Sequence, residues 1–303
     1  MTLDRIEQLC IQNGWSLQKQ APLSAYTTFK VGGPADLLVT LPDTAAAAAL
    51  LTACRENAVP TFLLGNGSNL LVGDKGMRGV VWRFDPAAAK AVLTDEETIV
   101  CDAGMPLMRL CTFAKEHALS GLEFAFGIPG TLGGAMYMNA GAYDGQMADV
   151  ALGATVIRKD GSIVQIAGAD MQLSYRHSAF MENGDVVASV TLRLKKGDAV
   201  AIRARMQELM DRRRSKQPLE YPSAGSFFKR PTGCFAGALI EQNGLKGFAV
   251  GDAAVSEKHA GFVINKGKAT AAEIVALSEA VITKIRDNTG VTLQPEVRFV
   301  GEF

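Results

Sequence analysis

Gly65-Asn66-Gly67-Ser68-Asn69-Leu70-Leu71-Val72 follows the apolar stretch Pro60–Leu64, and its reading decides the fold. Its two glycines leave room for backbone N–H groups to close around a phosphate. A Rossmann fingerprint would run on to a third glycine and open a helix, whereas Leu70-Leu71-Val72 reads as extended chain. Taken singly the loop is a plain turn, since Gly and Asn are the usual turn residues. A second loop, Gly127-Ile128-Pro129-Gly130-Thr131-Leu132-Gly133-Gly134-Ala135, leads into a predicted short helix whose N-terminus favours anionic oxygens. Together the loops point to a nucleotide-containing cofactor with its pyrophosphate between them.

Outward from the first loop, Leu3, Ile6, Leu9 and Cys10 have helical spacing that stops at Asn13-Gly14. Ala35–Leu41 is extended, Asp43 caps an alanine-rich helix to about Asn57, and Pro60–Leu64 completes a β-α-β unit. Beyond it lie a strand at Thr98–Asp102, a helix over Pro106–Ala118, the glycine-rich Gly127–Gly145 and a hairpin about Lys159-Asp160-Gly161. In Asp185–Leu194, alternation places Val186, Ala188, Val190, Leu192 and Leu194 on one face. A polar helix runs from Asp198 into Arg212-Arg213-Arg214-Ser215-Lys216-Gln217-Pro218, where the proline ends it. The remainder reads as a helix near Ala236–Asn243, extended Ala249–Val255, an amphipathic helix with Ile274, Leu277, Val281 and Ile285 inward, and a closing strand Val291–Val300. The reading is an α+β chain of three regions, 1–83, 84–197 and 198–303, without a repeat.

Of 303 residues, 48% are hydrophobic and 20% charged, which excludes disordered and fibrous classes. Thirty-one basic side chains balance thirty-one acidic ones, so nucleic acid is not suggested and an anionic ligand must be held by local charge. The five cysteines form no C-x-x-C pair and read as reduced, buried thiols. No His-Cys-carboxylate cluster suggests a metal. Neither an apolar signal core at Met1-Thr2-Leu3-Asp4-Arg5 nor a long apolar segment is found, and the expectation is a cytoplasmic protein without a membrane span.

Thr28-Phe29-Lys30-Val31-Gly32-Gly33, Gly65–Val72, and Gly127–Ala135 continuing to Asn139-Ala140-Gly141-Ala142-Tyr143, with three later motifs, closely resemble the UDP-N-acetylenolpyruvoylglucosamine reductase family over nearly the whole chain. That resemblance implies two FAD-binding lobes of the vanillyl-alcohol oxidase type, 1–83 with the opening helix and 84–197, plus a C-terminal α+β substrate-binding domain, 198–303, with a closing catalytic strand. It implies FAD contacts at Gly65, Asn66, Gly67, Ser68, Asn69, Leu70, Gly127, Ile128, Pro129, Gly130, Thr131, Gly133, Gly134, Ala135, Asn139, Ala140 and Gly141. Related oxidases often attach flavin through His or Cys in such loops, and Gly65–Val72 contains neither, so the FAD is expected to be non-covalent. Because Asp185–Leu194 leads almost directly into the Asp198 helix, the chain resembles the shorter second type, which lacks an inserted tyrosine-bearing loop.

The family's reaction reduces an enol ether conjugated to a carboxylate, which needs hydride at one carbon, a proton at its neighbour, and stabilisation of the charge between. By resemblance, Arg176 in Tyr175-Arg176-His177-Ser178 polarises the carboxylate. Ser226 in Ser223–Pro231 matches the proton donor, and Glu296 in Gln294–Phe299 matches the catalytic glutamate. Each alone reads more simply as a salt-bridging arginine, a capping serine and a solvated carboxylate. The expected cycle has NADPH reduce FAD and leave; the substrate then enters and becomes UDP-N-acetylmuramate for peptidoglycan synthesis, cell-wall growth and division. Similarity also favours substrate contacts at Lys229, Lys258 and Asn265; Tyr175 is a further candidate, Tyr221 offers a ring for stacking, and His259 reads equally as a ligand contact or a structural hydrogen bond. A monomer is expected. A flavin oxidase and a non-catalytic sugar-nucleotide sensor remain the competing readings.

Overall fold

A computed structural model describes residues 2–303. The chain divides into two compact units: the segment up to Lys19 with Leu37–Asn66 and Gly79–Arg212, and Gln20–Asp36 with Gly67–Arg78 and Arg213–Phe303.

In the first unit, the helix Thr2–Gln12 stops where expected, at Asn13 and the left-handed Gly14 (φ +66). Asp43 caps Thr44–Glu56 by accepting from the Ala46 N–H at 2.8 Å, and Asn57 closes it. The sheet order is Ser16–Pro22, Pro34–Leu41, Met77–Phe84, Thr61–Leu63, so the strands flanking that helix share a sheet with another strand between them. Ile6, Cys10, Val39, Leu41, Leu50, Cys54 and Trp82 form the core beneath. Burial there pushes the Cys10 and Cys54 thiols up to about 11 and about 12, which keeps them unreactive near neutral pH.

A second sheet of this unit runs Ile163–Ala167, Ala151–Ile157, Val186–Arg193, Thr98–Asp102, Ala91–Leu93, antiparallel throughout. Helix Leu107–Glu116 packs its Leu107, Leu110 and Cys111 into the same cluster as Val187, Val190 and Leu192. The single-face alternation expected over Val186–Leu194 does not hold throughout. Register passes from Thr155↔Ser189 to Val156↔Val187, so Ala188 is an extra residue that turns toward the other core with Ile157. A bulge exchanges the faces of a strand, and alternation alone does not reveal it.

In the second unit, Ser223–Ser226, Phe262–Asn265, Ala253–Val255 and Ala249–Val250 form a sheet in that order. The stretch Ala249–Val255, expected as one extended segment, is a hairpin: Val250 pairs with Ala253 across Gly251-Asp252, and Gly251 has φ +56. Helix Ala271–Thr289 buries Ile274, Leu277, Val281 and Ile285 completely, as their spacing predicts. Truncating any one of them to Ala costs about 2–5 kcal/mol. Only Arg298–Val300 of the expected closing strand pairs as a strand, parallel to Leu70–Val72. Pro295 offers no N–H to a ladder, and the chain before Arg298 meets its neighbours through isolated contacts.

All five cysteines are free; Cys234 is only half-buried, unlike the other four. Among the described residues no helix is long and apolar enough to cross a membrane.

Candidate functional site

The loop after Thr61–Leu63 is built for close approach. Gly67 has φ +59, and a Cβ there would lie 2.3 Å from the Tyr26 carbonyl oxygen, so a side chain is excluded on two counts. The Thr28 N–H donates to the Gly67 carbonyl at 3.2 Å. In the first unit, a Cβ on Gly65 would sit 2.9 Å from Thr131 Oγ1, and Asn66 Nδ2 donates to the Pro129 carbonyl at 2.7 Å, tying the two glycine loops together. Among the described residues none accepts from the N–H groups of Gly65, Asn66, Gly67 or Ser68. Four adjacent donors without internal acceptors suit anionic oxygens, so the loop fits the phosphates of a dinucleotide. Asn69 Nδ2 donates to the Glu296 carbonyl at 3.2 Å, while the Asn69 carbonyl takes the Arg298 N–H at 3.0 Å; Leu70 starts the strand paired with Arg298.

The second loop differs from expectation. Thr131 caps Leu132–Tyr137, yet the helix N-terminus is not open to anions: Leu132 N–H donates to Met105 O and Gly133 N–H to Ala103 O, both at 2.8 Å. Gly134 N–H donates to Thr131 Oγ1 at 3.3 Å. The first-turn donors are thus satisfied by protein, and the small residues serve packing instead. A Cβ on Gly133 would lie 2.9 Å from that of Ala103. Gly127 is left-handed at φ +88, Ile128 N–H reaches Ala125 O, Gly130 accepts from the Leu107 N–H, and buried Ala135 accepts from the Ala140 N–H.

Arg176 stands at the tip of a tight turn. Ser174 and His177 exchange backbone hydrogen bonds of 3.1 Å in both directions, leaving Tyr175 and Arg176 between them, and Arg176 has φ +53. Its guanidinium lies 5.2 Å from the Tyr175 ring centroid, and Nη2 donates to the Gly141 carbonyl at 3.5 Å. Tyr175 is largely exposed. Asn139 grips the base of this turn: it is only 1% exposed, and Nδ2 donates to the Ser174 carbonyl at 2.9 Å and to Gln146 Oε1 at 3.0 Å. Its Oδ1 accepts from the Ala148 N–H at 2.9 Å. The resemblance places Asn139 among FAD contacts, whereas here its side chain is committed to the protein. Nothing in the sequence signals a partner 35 positions away.

Ser226 and Glu296 are brought together in the second unit. Glu296 N–H donates to the Phe227 carbonyl at 2.8 Å, Lys229 N–H to the Gln294 carbonyl at 2.8 Å, and Phe228 bridges Pro295 in antiparallel sense. Ser226 and Glu296 therefore each lie within one residue of the same hydrogen bond. Phe227 and Phe228 are buried in the core, which fixes this backbone, while Ser226 and Lys229 are exposed and Glu296 is half-buried. Left-handed Gly225 (φ +77) sits in the register shift between Ser223↔Ile264 and Ser226↔Phe262, and Thr28 Oγ1 holds the Ser223 carbonyl at 2.7 Å.

The remaining expected substrate residues divide. Tyr221 is exposed. Lys258 Nζ donates to the Arg214 carbonyl at 2.8 Å and lies 3.6 Å from Glu220 Oε2. His259 Nδ1 accepts from the Gly261 N–H at 3.1 Å and its ring packs edge-on to Phe262; burial holds its pKa below the ordinary 6.5. Asn265 is buried, donating to the Phe29 carbonyl at 3.1 Å and accepting from Gly267 and Ala269 N–H groups. It shapes the turn after Phe262–Asn265 and leaves no amide group turned outward.

Residues 217–300 match the family described as UDP-N-acetylenolpyruvoylglucosamine reductase, C-terminal domain, and residues 35–167 match the FAD binding domain family. The UDP-N-acetylenolpyruvoylglucosamine reductase of Clostridium novyi (strain NT) is 50% identical over 277 residues, covering 91% of this chain and 90% of that protein. That of Syntrophomonas wolfei subsp. wolfei is 48% identical over 282 residues, covering 93% and 94% respectively. The crystal structure of UDP-N-acetylenolpyruvylglucosamine reductase (MurB) from Thermus caldophilus superposes with a TM-score of 0.79 at 35% identity, covering 94% of this chain and 98% of that one.

Proposed function

Since the chain belongs to the UDP-N-acetylenolpyruvoylglucosamine reductase family, an FAD-binding oxidoreductase family, we propose that it uses NADPH to reduce UDP-N-acetylglucosamine enolpyruvate to UDP-N-acetylmuramate, supplying peptidoglycan precursor in the cytoplasm as a monomer. Bound FAD supplies the two-electron store between reductant and alkene. The Gly65–Ser68 donors hold its phosphates, and the tie from Asn66 to Pro129 keeps the second glycine loop beside them.

Arg176 binds the substrate carboxylate through its fork of donors and draws charge toward it. Ser226 gives a proton to the carbon next to the one reduced, and Glu296 stabilises the charge that accumulates meanwhile. The observation that carries this reading is the pairing of the Ser226 and Glu296 segments around the Phe227–Glu296 hydrogen bond. A hydroxyl is a weak acid, so the serine needs a neighbour that stabilises its conjugate base; exposed Lys229, three residues on, is the cation assigned to it. The same reading assigns Tyr175, Tyr221, Lys258 and His259 to the substrate, while Asn265 serves the turn after Phe262–Asn265.

The test is anaerobic stopped-flow absorbance at the flavin band. NADPH bleaches the purified protein, and the enolpyruvyl sugar nucleotide then restores the band with formation of UDP-N-acetylmuramate. A band that stays bleached until oxygen is admitted identifies an oxidase, and binding without any redox change identifies a sensor.

A further inference from the structure

We infer that Asn139 is the positioning residue for Arg176, setting the guanidinium where the substrate carboxylate docks; this rests on the carboxylate role proposed for Arg176. The geometry is specific. The side chain of Asn139 is buried and makes three hydrogen bonds, one of them to the carbonyl of Ser174, which opens the Arg176 turn. Ser174 in turn pairs reciprocally with His177. The turn contains no glycine, and Arg176 adopts φ +53, a left-handed conformation unfavourable for a long side chain. Such a turn persists only when its surroundings over-determine it.

Asn139 provides that determination from the glycine-rich segment. It is itself left-handed at φ +40, a region that Asn tolerates well. The Gly141 carbonyl, two residues along the same segment, receives Arg176 Nη2. One short stretch, Asn139 to Gly141, thus holds the turn at its base and the guanidinium near its end. A primary amide suits the task because it donates twice, to Ser174 and Gln146, while accepting from Ala148. Aspartate has the same shape and offers no donor.

Two variants separate this role from simple support. Asn139→Gly keeps the left-handed backbone and deletes the side chain; Asn139→Asp keeps the shape and deletes both donors. The first readout needs no turnover: calorimetric binding to the oxidised holoenzyme of the enolpyruvyl substrate and of UDP-N-acetylglucosamine, which lacks the carboxylate. Both variants weaken the first by about tenfold or more and leave the second unchanged.

The second readout is the rate at which substrate reoxidises dithionite-reduced holoenzyme. It falls on the order of a hundredfold in each variant, as misplacement of a catalytic group implies. In an Arg176→Ala background, adding Asn139→Gly produces little further loss, because the two residues act as one unit. Multiplicative effects, equal weakening of both ligands, or loss of FAD from both variants would overturn the positioning role. Normal reoxidation by Arg176→Ala would instead sink the carboxylate reading itself.

Discussion

Asp74 and Ala271 join the glycine loop region to the longest helix of the second unit: Asp74 Oδ1 accepts the Ala271 N–H at 2.8 Å, and Oδ2 accepts that of Ala272 at 3.0 Å. Thr270 Oγ1 takes the next amide, Glu273 N–H, at 3.1 Å. The first three N–H groups of Ala271–Thr289 are thereby satisfied by two side chains, one of them nearly 200 positions away in sequence. Asp74→Ala leaves two donors without a protein acceptor and removes a negative charge from the helix N-terminus, at a cost of ~1–2 kcal/mol. A denaturant titration should show a lower midpoint with an unchanged slope. An unchanged midpoint would mean that water replaces the cap without loss.

Gly67→Ala addresses the loop that decides the fold. The added Cβ would lie 2.3 Å from Tyr26 O and 2.9 Å from Thr27 Cα, and φ +59 is strained for alanine. These obstacles are backbone atoms, so the loop itself must move and carry the N–H groups of Gly65 to Ser68 with it. The expected protein is folded by far-ultraviolet circular dichroism and colourless after purification, with flavin absorbance regained only at high added FAD. Stoichiometric yellow protein would show that the phosphates do not rest on this loop.

How much of this was legible in advance depended on the range of each interaction. Asp43, the helix spacing of Ile274 to Ile285 and the stop at Gly14 act within a few residues, and each element formed where the sequence indicated. Gly251-Asp252 was a missed local signal, a turn dipeptide inside an apolar stretch. The bulge at Ala188 depends on the register of a neighbouring strand and leaves no mark in its own segment. Thr28 reaches the Ser223 carbonyl across 195 positions and Asn139 reaches that of Ser174 across 35, so neither role could be read from spacing. The expected anion site at the Leu132 helix failed for a related reason: its donors are taken by Met105 and Ala103, which belong to another stretch of chain.

His259 gives the protein a pH dependence of defined sign. Burial lowers its pKa below 6.5, and its Nδ1 accepts from the Gly261 N–H, a bond open only to the neutral ring. The unfolded chain therefore takes up the proton at higher pH than the folded one. The stabilising contribution is complete above 6.5 and is lost as pH falls through the lower folded value. Comparing urea midpoints near neutrality with those about two pH units lower should show a steeper acid loss in the parent than in His259→Gln. Equal losses in both proteins would mean that other groups dominate that window.

Ser226→Ala separates proton donation from everything before it. The mutation removes one exposed hydroxyl from the end of a strand whose position is fixed by buried Phe227 and by the Glu296 N–H bond to the Phe227 carbonyl. Backbone, core and glycine loops are untouched, so the variant should purify yellow and bleach with NADPH at the parental rate. Substrate should still bind, since the Arg176 fork remains. What fails is return of the flavin band, because hydride delivered to one carbon leaves charge on its neighbour that no longer receives a proton from the protein. Removing a positioned proton donor slows such a step by ~10²–10⁴-fold. If reoxidation by substrate stays at the parental rate, the proton comes from elsewhere; Glu296, beside the same hydrogen bond, is then the first group to replace, and Glu296→Gln with an intact serine would show the deficit instead.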